Sequence, residues 1–191
     1  MLPPLRPGAR LLQVDGPTVE TERLILRPWR AGDVAPNTAM LSDPDTARYI
    51  TPDRKAVTSE TNGWRNAAII MGHWALHGFG MFAVEEKSSG RYIGRVGPWC
   101  PPGWPGFEVG WGITKGARGK GYAVEAARAS IDWTFATFAI DRIVHCIDPE
   151  NVASQAVARR LGAEVEGPAE LHGDSIDLWV TTRERWRPDG R

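Results

Sequence analysis

The residues with the strongest chemical character in this sequence fall in one run, FEVGWGITKGARGKGYA, from Phe107 to Ala123. There an alternating strand passes through a glycine-rich turn into the start of a helix. Such a turn points several backbone N–H groups one way, and the helix adds its unpaired N-terminal donors and positive dipole end. The natural occupant is an anion such as a phosphate. Gly119 and Gly121 lack Cβ atoms, which permits unusual dihedrals and close approach of a ligand to the main chain. Arg118 and Lys120 bring positive charge to the same place. The competing reading is an ordinary strand-to-helix turn with exposed basic residues, and a short glycine motif does not separate the two by itself. There is no GxxxxGK[ST] run, and Gly119-Lys120-Gly121 lacks the full dinucleotide fingerprint, so a nucleotide-binding enzyme ranks well behind.

The composition narrows the field. With 191 residues the chain is long enough for one well-buried domain. Lys+Arg and Asp+Glu are both 23, so no bulk charge steers it toward nucleic acid or an anionic membrane, and recognition must be local. No apolar run approaches the roughly 20 residues that span a bilayer, and the opening MLPPLRPGAR lacks the apolar core of a secretory signal. A cytoplasmic protein is expected. Cys100 and Cys146 lie far apart without CxxC or CxxH spacing, which argues against a metal site or a disulfide framework. Cys146 reads as a strand core residue. Several of the nine tryptophans, Trp99, Trp104 and Trp111 among them, sit close to the central run, where one or two could line a pocket.

The surrounding elements must hold that run in place. Residues 1–20 are rich in proline and glycine and read as an irregular arm, 21–187 as a single domain and 188–191 as a tail. Arg23 to Arg27 is a strand stopped by Pro28, and Asp33 is an N-cap candidate for a helix carrying Val34, Met40 and Leu41, which Asp43-Pro44-Asp45 breaks. From Thr58 to about Leu76, the spacing of Trp64, Ala67, Ala68, Met71 and Ala75 predicts one apolar helix face, ended by Gly78 and Gly80. Met81 to Glu86 and Arg91 to about Val96 form a hairpin across Lys87 to Gly90. Trp99 to Gly106, WCPPGWPG, is a stiff loop placed to shape a pocket. After the glycine turn, Val124, Ala127, Ile131, Phe135 and Phe138 mark a buried helical stripe. A strand at Arg142 to Ile147, a helix closed by Gly162, and strands at Ala163 to Glu166 and Ser175 to Thr182 complete the order. A mixed sheet covered by helices accommodates this order.

With these elements in place, Arg118 to Ala123, RGKGYA, resembles the Arg/Gln-x-x-Gly-x-Gly/Ala signature of the GNAT superfamily of acyl-CoA N-acyltransferases. NVASQAVARRLG, Asn151 to Gly162, resembles the N-x-x-S-x-x-V-x-x-x-L-G run of its ribosomal-protein N-terminal acetyltransferase branch. The opening TERLILRPW and the closing Arg183-Glu184-Arg185-Trp186 are similar to that branch too, so the resemblance covers roughly Thr21 to Trp186. It implies an α+β (mixed α/β) fold: a central mixed, mostly antiparallel sheet of about seven strands flanked by about four helices. It implies that acetyl-CoA is the co-substrate, without a metal, and that its pyrophosphate lies on Arg118, Gly119, Lys120, Gly121, Tyr122 and Ala123. The pantetheine arm would bond to the backbone at Val109, Gly110, Trp111 and Ile113, with Asn151 and Ser154 on the opposite wall. Gly110 and Gly112 clear one face of the strand for such an arm; a bulge or close packing is their other reading. The implied partners are acetyl-CoA and an amine acceptor, with no nucleic acid and no membrane, on a monomer or homodimer.

Acyl transfer from a thioester to an amine has two proton problems. A primary amine with a pKa near ~10 is mostly protonated at neutral pH, whereas a thiolate with a pKa near ~8.5 leaves with little help. A positioned base typically contributes about 10²–10⁴-fold. No Cys or Ser triad is evident, so direct attack in a ternary complex follows. Glu108 is the candidate base because alternation puts it on the face of Gly110 and Gly112; a solvated carboxylate is the plain alternative. His145, His172 and Asp177 are further alternatives, each better read as structural or solvent-facing. Many members of the superfamily place a tyrosine four residues beyond the position of Ser154, where this chain has Ala158, so tyrosine acid catalysis is not available there. Ser154 should point inward and bond either the cofactor sulfur or a carbonyl one turn back. Asn151 is equally well read as the helix N-cap. Loss of turnover with retention of the cradle would make the chain an acyl-CoA-binding or sensing module instead. The Trp99 to Gly106 loop and the Leu171 to Asp174 turn are expected to flank an acceptor, either a protein N-terminus or a small-molecule amine.

Overall fold

The computed structural model describes residues 6–7 and 15–187, so most of the expected arm and the whole of the 188–191 tail lie outside the described residues. One eight-stranded sheet organises the rest, in the order β1-β2-β3-β4-β5-β6-β8-β7. The strands are β1 (Val19–Glu20), β2 (Leu24–Arg27), β3 (Phe82–Glu86), β4 (Arg91–Trp99), β5 (Glu108–Ile113), β6 (Arg142–Ile147), β7 (Glu164–Leu171) and β8 (Asp174–Thr182). Every neighbouring pair is antiparallel except β5 and β6. The helices are α1 (Val34–Ser42), α2 (Pro44–Ile50), α3 (Glu60–His77), α4 (Tyr122–Thr137) and α5 (Val152–Arg160). This is the mixed, mostly antiparallel architecture expected, with one more strand and one more helix. Among the described residues no helix is long and apolar enough to cross a membrane.

The extra strand is β1, whose two residues fall in the stretch read as an irregular arm and pair with Ile25 and Leu26. The extra helix is α2. Asp43-Pro44-Asp45 does end α1, but Pro44 also occupies the first turn of a new helix, where its fixed φ and missing N–H do no harm. Asp33 stands at the N-cap position of α1 as expected, but its side chain makes no cap bond to that helix. Its carboxylate instead grips the buried Arg27 guanidinium with two bonds, of 2.8 and 2.9 Å, and accepts the Arg30 N–H at 2.7 Å. The apolar face of α3 is also rotated from the expected one. Gly63, Ala67, Ile70, His73 and Trp74 are buried, while Trp64 is 61% exposed.

The sheet has two usable faces. Cross-strand register places Trp99 opposite Glu108, Gly97 opposite Gly110 and Arg95 opposite Gly112, so these side-chain positions share one face. Arg95 reaches Asn66 of α3 there, so this face lies under α1 and α3. Val109 and Ile113 project to the other face, where they pack in the core with Ala126, Ala127 and Ile131 of α4. Ser59 caps α3 by accepting the Asn62 N–H at 3.2 Å, and Gly78 ends it with a φ of 74°.

Candidate active site

Strands β5 and β6 share a single registered pair, Glu108 with Val144, and then separate. Backbone alternation leaves Val109 and Trp111 directed into the gap, whereas Gly110 turns its backbone toward β4. Two side chains take over the polar groups that the missing ladder leaves behind. The His145 imidazole bonds the Val109 carbonyl through Nδ1 at 2.7 Å, and Glu108 Oε1 accepts the Cys146 N–H at 3.2 Å. The gap widens into a cleft of about 930 Å³ that runs from the start of α4 to the β7–β8 turn. Of the residues singled out from the sequence as catalytic or cofactor-binding, all but Lys120 line it.

At one end lies the glycine turn. Gly119 and Gly121 adopt φ values of 77° and 82°, the left-handed region in which a Cβ is strained. Arg118 N–H bonds back to Lys115 and Glu125 N–H to Gly121, but the six N–H groups of Gly119 to Val124 find no acceptor among the described residues. That row of donors, at the positive end of a helix dipole, has the chemistry needed to hold an anion. Arg118 faces elsewhere: its Nε donates to the Ile113 carbonyl at 3.2 Å, and its Nη2 bonds Thr46 and Asp43. Tyr122 contributes only its backbone, because its buried hydroxyl donates to Glu86 at 2.6 Å. Arg118 is thus engaged by protein partners and Lys120 does not line the cleft, so the main-chain donors are what this turn presents to it.

Along the middle of the cleft, Asn151 Oδ1 accepts the Ser154 N–H at 3.1 Å as the cap of α5. Ser154 makes no bond to the carbonyl one turn back among the described residues; its Oγ accepts the indole N–H of Trp111 at 3.3 Å. No acceptor among the described residues takes the hydroxyl proton, which leaves a donor beside the gap. The spaces above Gly110 and Gly112 are filled by neighbours. A Cβ there would stand 2.9 Å from Met81 Cε and 2.7 Å from Ile50 Cδ1, the close packing that was the other reading of these glycines.

At the far end sits Glu108, 7% exposed. Burial pushes its carboxyl up to about 7, although the Trp104 indole and the Cys146 N–H both bond the anion. Near neutrality such a group can take a proton and return it. His145 is a different case. A carbonyl only accepts, so the proton sits on Nδ1 and Nε2 accepts from Thr181 at 3.0 Å, while burial pushes the imidazole down to about 4. It is a neutral strut. His172, in the turn with φ of 57°, packs its ring against Trp104, and Asp177 does not line the cleft. The expected flanks are in place: Trp99, Pro101 and Trp104 on one side, and Leu171, His172 and Asp174 on the other.

Three features escaped the sequence. Trp104 is a direct partner of Glu108, four residues away, a spacing that could have drawn attention. Arg54 spans the α2–α3 connection to bond Asp148 at 2.7 Å and Asp174 at 2.8 Å across the cleft mouth. Arg95 and Asn66 line the cleft from β4 and α3.

The fold and sequence agree with those of known proteins. Residues 23–164 match the family model described as the acetyltransferase (GNAT) domain. YkkB of Bacillus subtilis (strain 168) is 32% identical over 146 residues, covering 74% of this chain and 82% of that protein. The N-acetyltransferase YnaD of the same organism is 27% identical over 155 residues, covering 78% and 84%. An acetyltransferase structure from Agrobacterium tumefaciens str. C58 superposes with a TM-score of 0.77 at 28% identity, covering 92% of this chain and 100% of that one. The structure of Mycobacterium smegmatis RimJ in complex with CoA-disulfide shares the fold, with a TM-score of 0.71 at 23% identity over 90% of each chain. A family model that matches most of the sequence, with relatives of like length and solved structures of like fold, gives the conclusion: the chain belongs to the GNAT acetyltransferases.

Proposed function

We propose that this protein transfers an acetyl group from acetyl-CoA directly to a primary amine, with Glu108 as the base. The observation that carries this reading is the pairing, in one cleft, of the free amides of Gly119, Gly121, Tyr122, Ala123 and Val124 with a carboxyl whose pKa is pushed up to about 7. The amides, with the first turn of α4, hold the pyrophosphate; Asn151 and Ser154 wall the pantetheine arm. Coenzyme A supplies an activated acyl group on a thiol that leaves readily.

Glu108 takes one proton from the incoming ammonium, directly or through water. The free amine then forms the C–N bond as the C–S bond breaks, and the remaining ammonium proton leaves for solvent or the departing sulfur. Ser154, already accepting from Trp111, donates a hydrogen bond to that sulfur as it leaves, and the proton the thiolate finally takes comes from the amine nitrogen or from solvent. That hydrogen bond is the help this chain offers where Ala158 rules out a tyrosine acid.

The test is a thiol-release assay with acetyl-CoA against amines, run beside calorimetric titration with coenzyme A. Turnover that Glu108→Gln lowers by about 10²–10⁴-fold supports the reading. Tight binding without turnover on any amine would instead make the chain a binding module. No measurable affinity for coenzyme A would sink both.

A further inference from the structure

Arg95 is a cation without a counterion among the described residues. It is 6% exposed, and its one hydrogen bond is from Nη1 to Asn66 Oδ1 at 2.7 Å. It makes no ion pair with a described carboxylate, although Arg27 on the same sheet is matched by Asp33 and Glu85. An isolated charge in such a place is expensive unless something pairs with it. The side chain lines the cleft, and so does Asn66, whose Oδ1 also accepts from Asn37 at 3.2 Å while its NH₂ has no acceptor among the described residues. The guanidinium donors left over, together with that amide, face the opening.

Their position relative to Glu108 is fixed by register. Arg95 stands opposite Gly112 and Trp99 opposite Glu108, all on the α1–α3 face. Glu108 Oε1 lies 3.4 Å from where a Cβ on Gly110 would be, and Arg95 Cγ lies 3.9 Å from that on Gly112. The two side chains therefore rise from one face of the sheet, one glycine-to-glycine step or roughly 7 Å of strand apart, and both line the same cleft. Met81 and Ile50 line the interval with apolar atoms. Nearby acidic groups do not neutralise Arg95, since Asp148 and Asp174 are held by Arg54.

We propose that Arg95 and Asn66 form an anion subsite for the acceptor, so that the acceptor is a small amine carrying its own acid, an amino acid or short peptide. Its amine lies toward Glu108 and its carboxylate on the guanidinium. This rests on the acetyltransferase reading and narrows it. A polyamine, with no acid to offer, fits the arrangement poorly.

The experiment compares free amino acids and dipeptides with their C-terminal amides in the thiol-release assay, for wild type and Arg95→Met. The acid member of at least one pair is expected to be favoured at least tenfold in kcat/KM. Arg95→Met should lower the acid's kcat/KM by roughly 10–100-fold, the contribution of a charge-assisted pair, and so bring the two members together. Arg95→Lys should restore part of the preference. The cooperative thermal unfolding of each variant serves as the check on folding. Equal use of acids and amides by wild type, or an equal loss for both in the variant, overturns the proposal. A second arm needs no turnover: thermal shifts with N-acetylated amino acids against N-acetylated amides. Stabilisation by acids alone, lost in Arg95→Met, supports the subsite even if no amine is acetylated, whereas no shift with any acid refutes it. Absence of thiol release from every amine counts against the transferase reading rather than the subsite.

Discussion

Glu108→Gln tests both the chemistry and the burial that produces it. In the folded chain the carboxyl is pushed up to about 7 from an ordinary value of 4.5. Below 7 it is neutral and cannot take a proton from an ammonium; above 7 it can. A plot of kcat/KM against pH should therefore show a break near 7 on the acid side, added to the slope from the acceptor amine. The glutamine variant should lose about 10²–10⁴-fold in rate and lose the break. Thiol release from pH 5.5 to 9 measures both. A variant that is slower but keeps the break at 7 would place the base on another group and refute the assignment.

The same substitution has a stability signature. Because the folded value lies above the unfolded one, the folded state holds this proton more tightly. The stability it confers is full below about 4.5 and is lost as pH rises through 7. Between pH 5 and 8 wild type should lose about 2–3 kcal/mol through this group alone. A glutamine amide does not titrate, so the variant is spared that loss. It has a different handicap, since Cys146 and Trp104 each donate to a separate carboxylate oxygen and glutamine offers only one. One donor left unpaired costs about 1–3 kcal/mol. The variant should melt lower than wild type at pH 5 and gain roughly 5–10 °C on it by pH 8. Parallel melting curves across that range would mean that Glu108 is solvated and that the burial argument is wrong.

Three further outcomes are expected. Ser154→Ala should lower kcat about tenfold, because a leaving thiolate needs little help, with coenzyme A affinity nearly intact; a loss under twofold removes the hydroxyl from the chemistry. Gly121→Val forces a branched side chain into a φ of 82° at the amide cradle, and titration calorimetry should show coenzyme A binding at least tenfold weaker, with a loss of about 1–3 kcal/mol in stability. Arg95→Met should melt at or above the wild-type temperature, because it removes a buried cation that has no anionic partner among the described residues; a fall of more than about 2 kcal/mol would show that Arg95 braces the fold.

What the sequence disclosed follows the range of the interactions involved. The glycine turn, the hairpin across Lys87 to Gly90 and the cap at Asn151 are local, and each was readable from a few adjacent residues. Period-two alternation also placed Glu108, Gly110 and Gly112 on one face, which the pairing with β4 bears out. Arg95 was silent because its meaning depends on that register, which sets it opposite Gly112, and on the lack of a carboxylate among the groups that α3 brings over it. Trp111 and Ser154 are likewise distant in sequence and meet only because the chain after β6 brings α5 to the cleft that β5 lines. The helical face of α3 was misjudged for another reason. Its buried stripe contains Gly63 and His73, which an apolar pattern passes over, while Trp64 is an apolar residue that the fold leaves exposed. At Pro44 the signal was read in one direction only: a residue that cannot continue one helix is well suited to begin the next.

The opening between β5 and β6 and the acidity of Glu108 have one cause. A continued ladder would have paired the Cys146 N–H with backbone, and there would be no cleft. Because the strands part, that amide needs another acceptor, and Glu108 supplies it from within the sheet, where water is scarce. Holding the amide favours the anion, but the burial required to reach it opposes the anion more strongly, and the balance falls near 7. His145 performs the matching task for the Val109 carbonyl and is driven the other way, to a permanently neutral ring. The opened sheet thus sorts its two titratable residues by what each must satisfy. The one bonded to an N–H keeps a usable proton equilibrium, and the one bonded to a carbonyl becomes scaffold. Exchanging Glu108 for a residue that cannot accept from Cys146 should disturb the cleft wall as well as the base. For that reason glutamine, rather than alanine, isolates the chemistry.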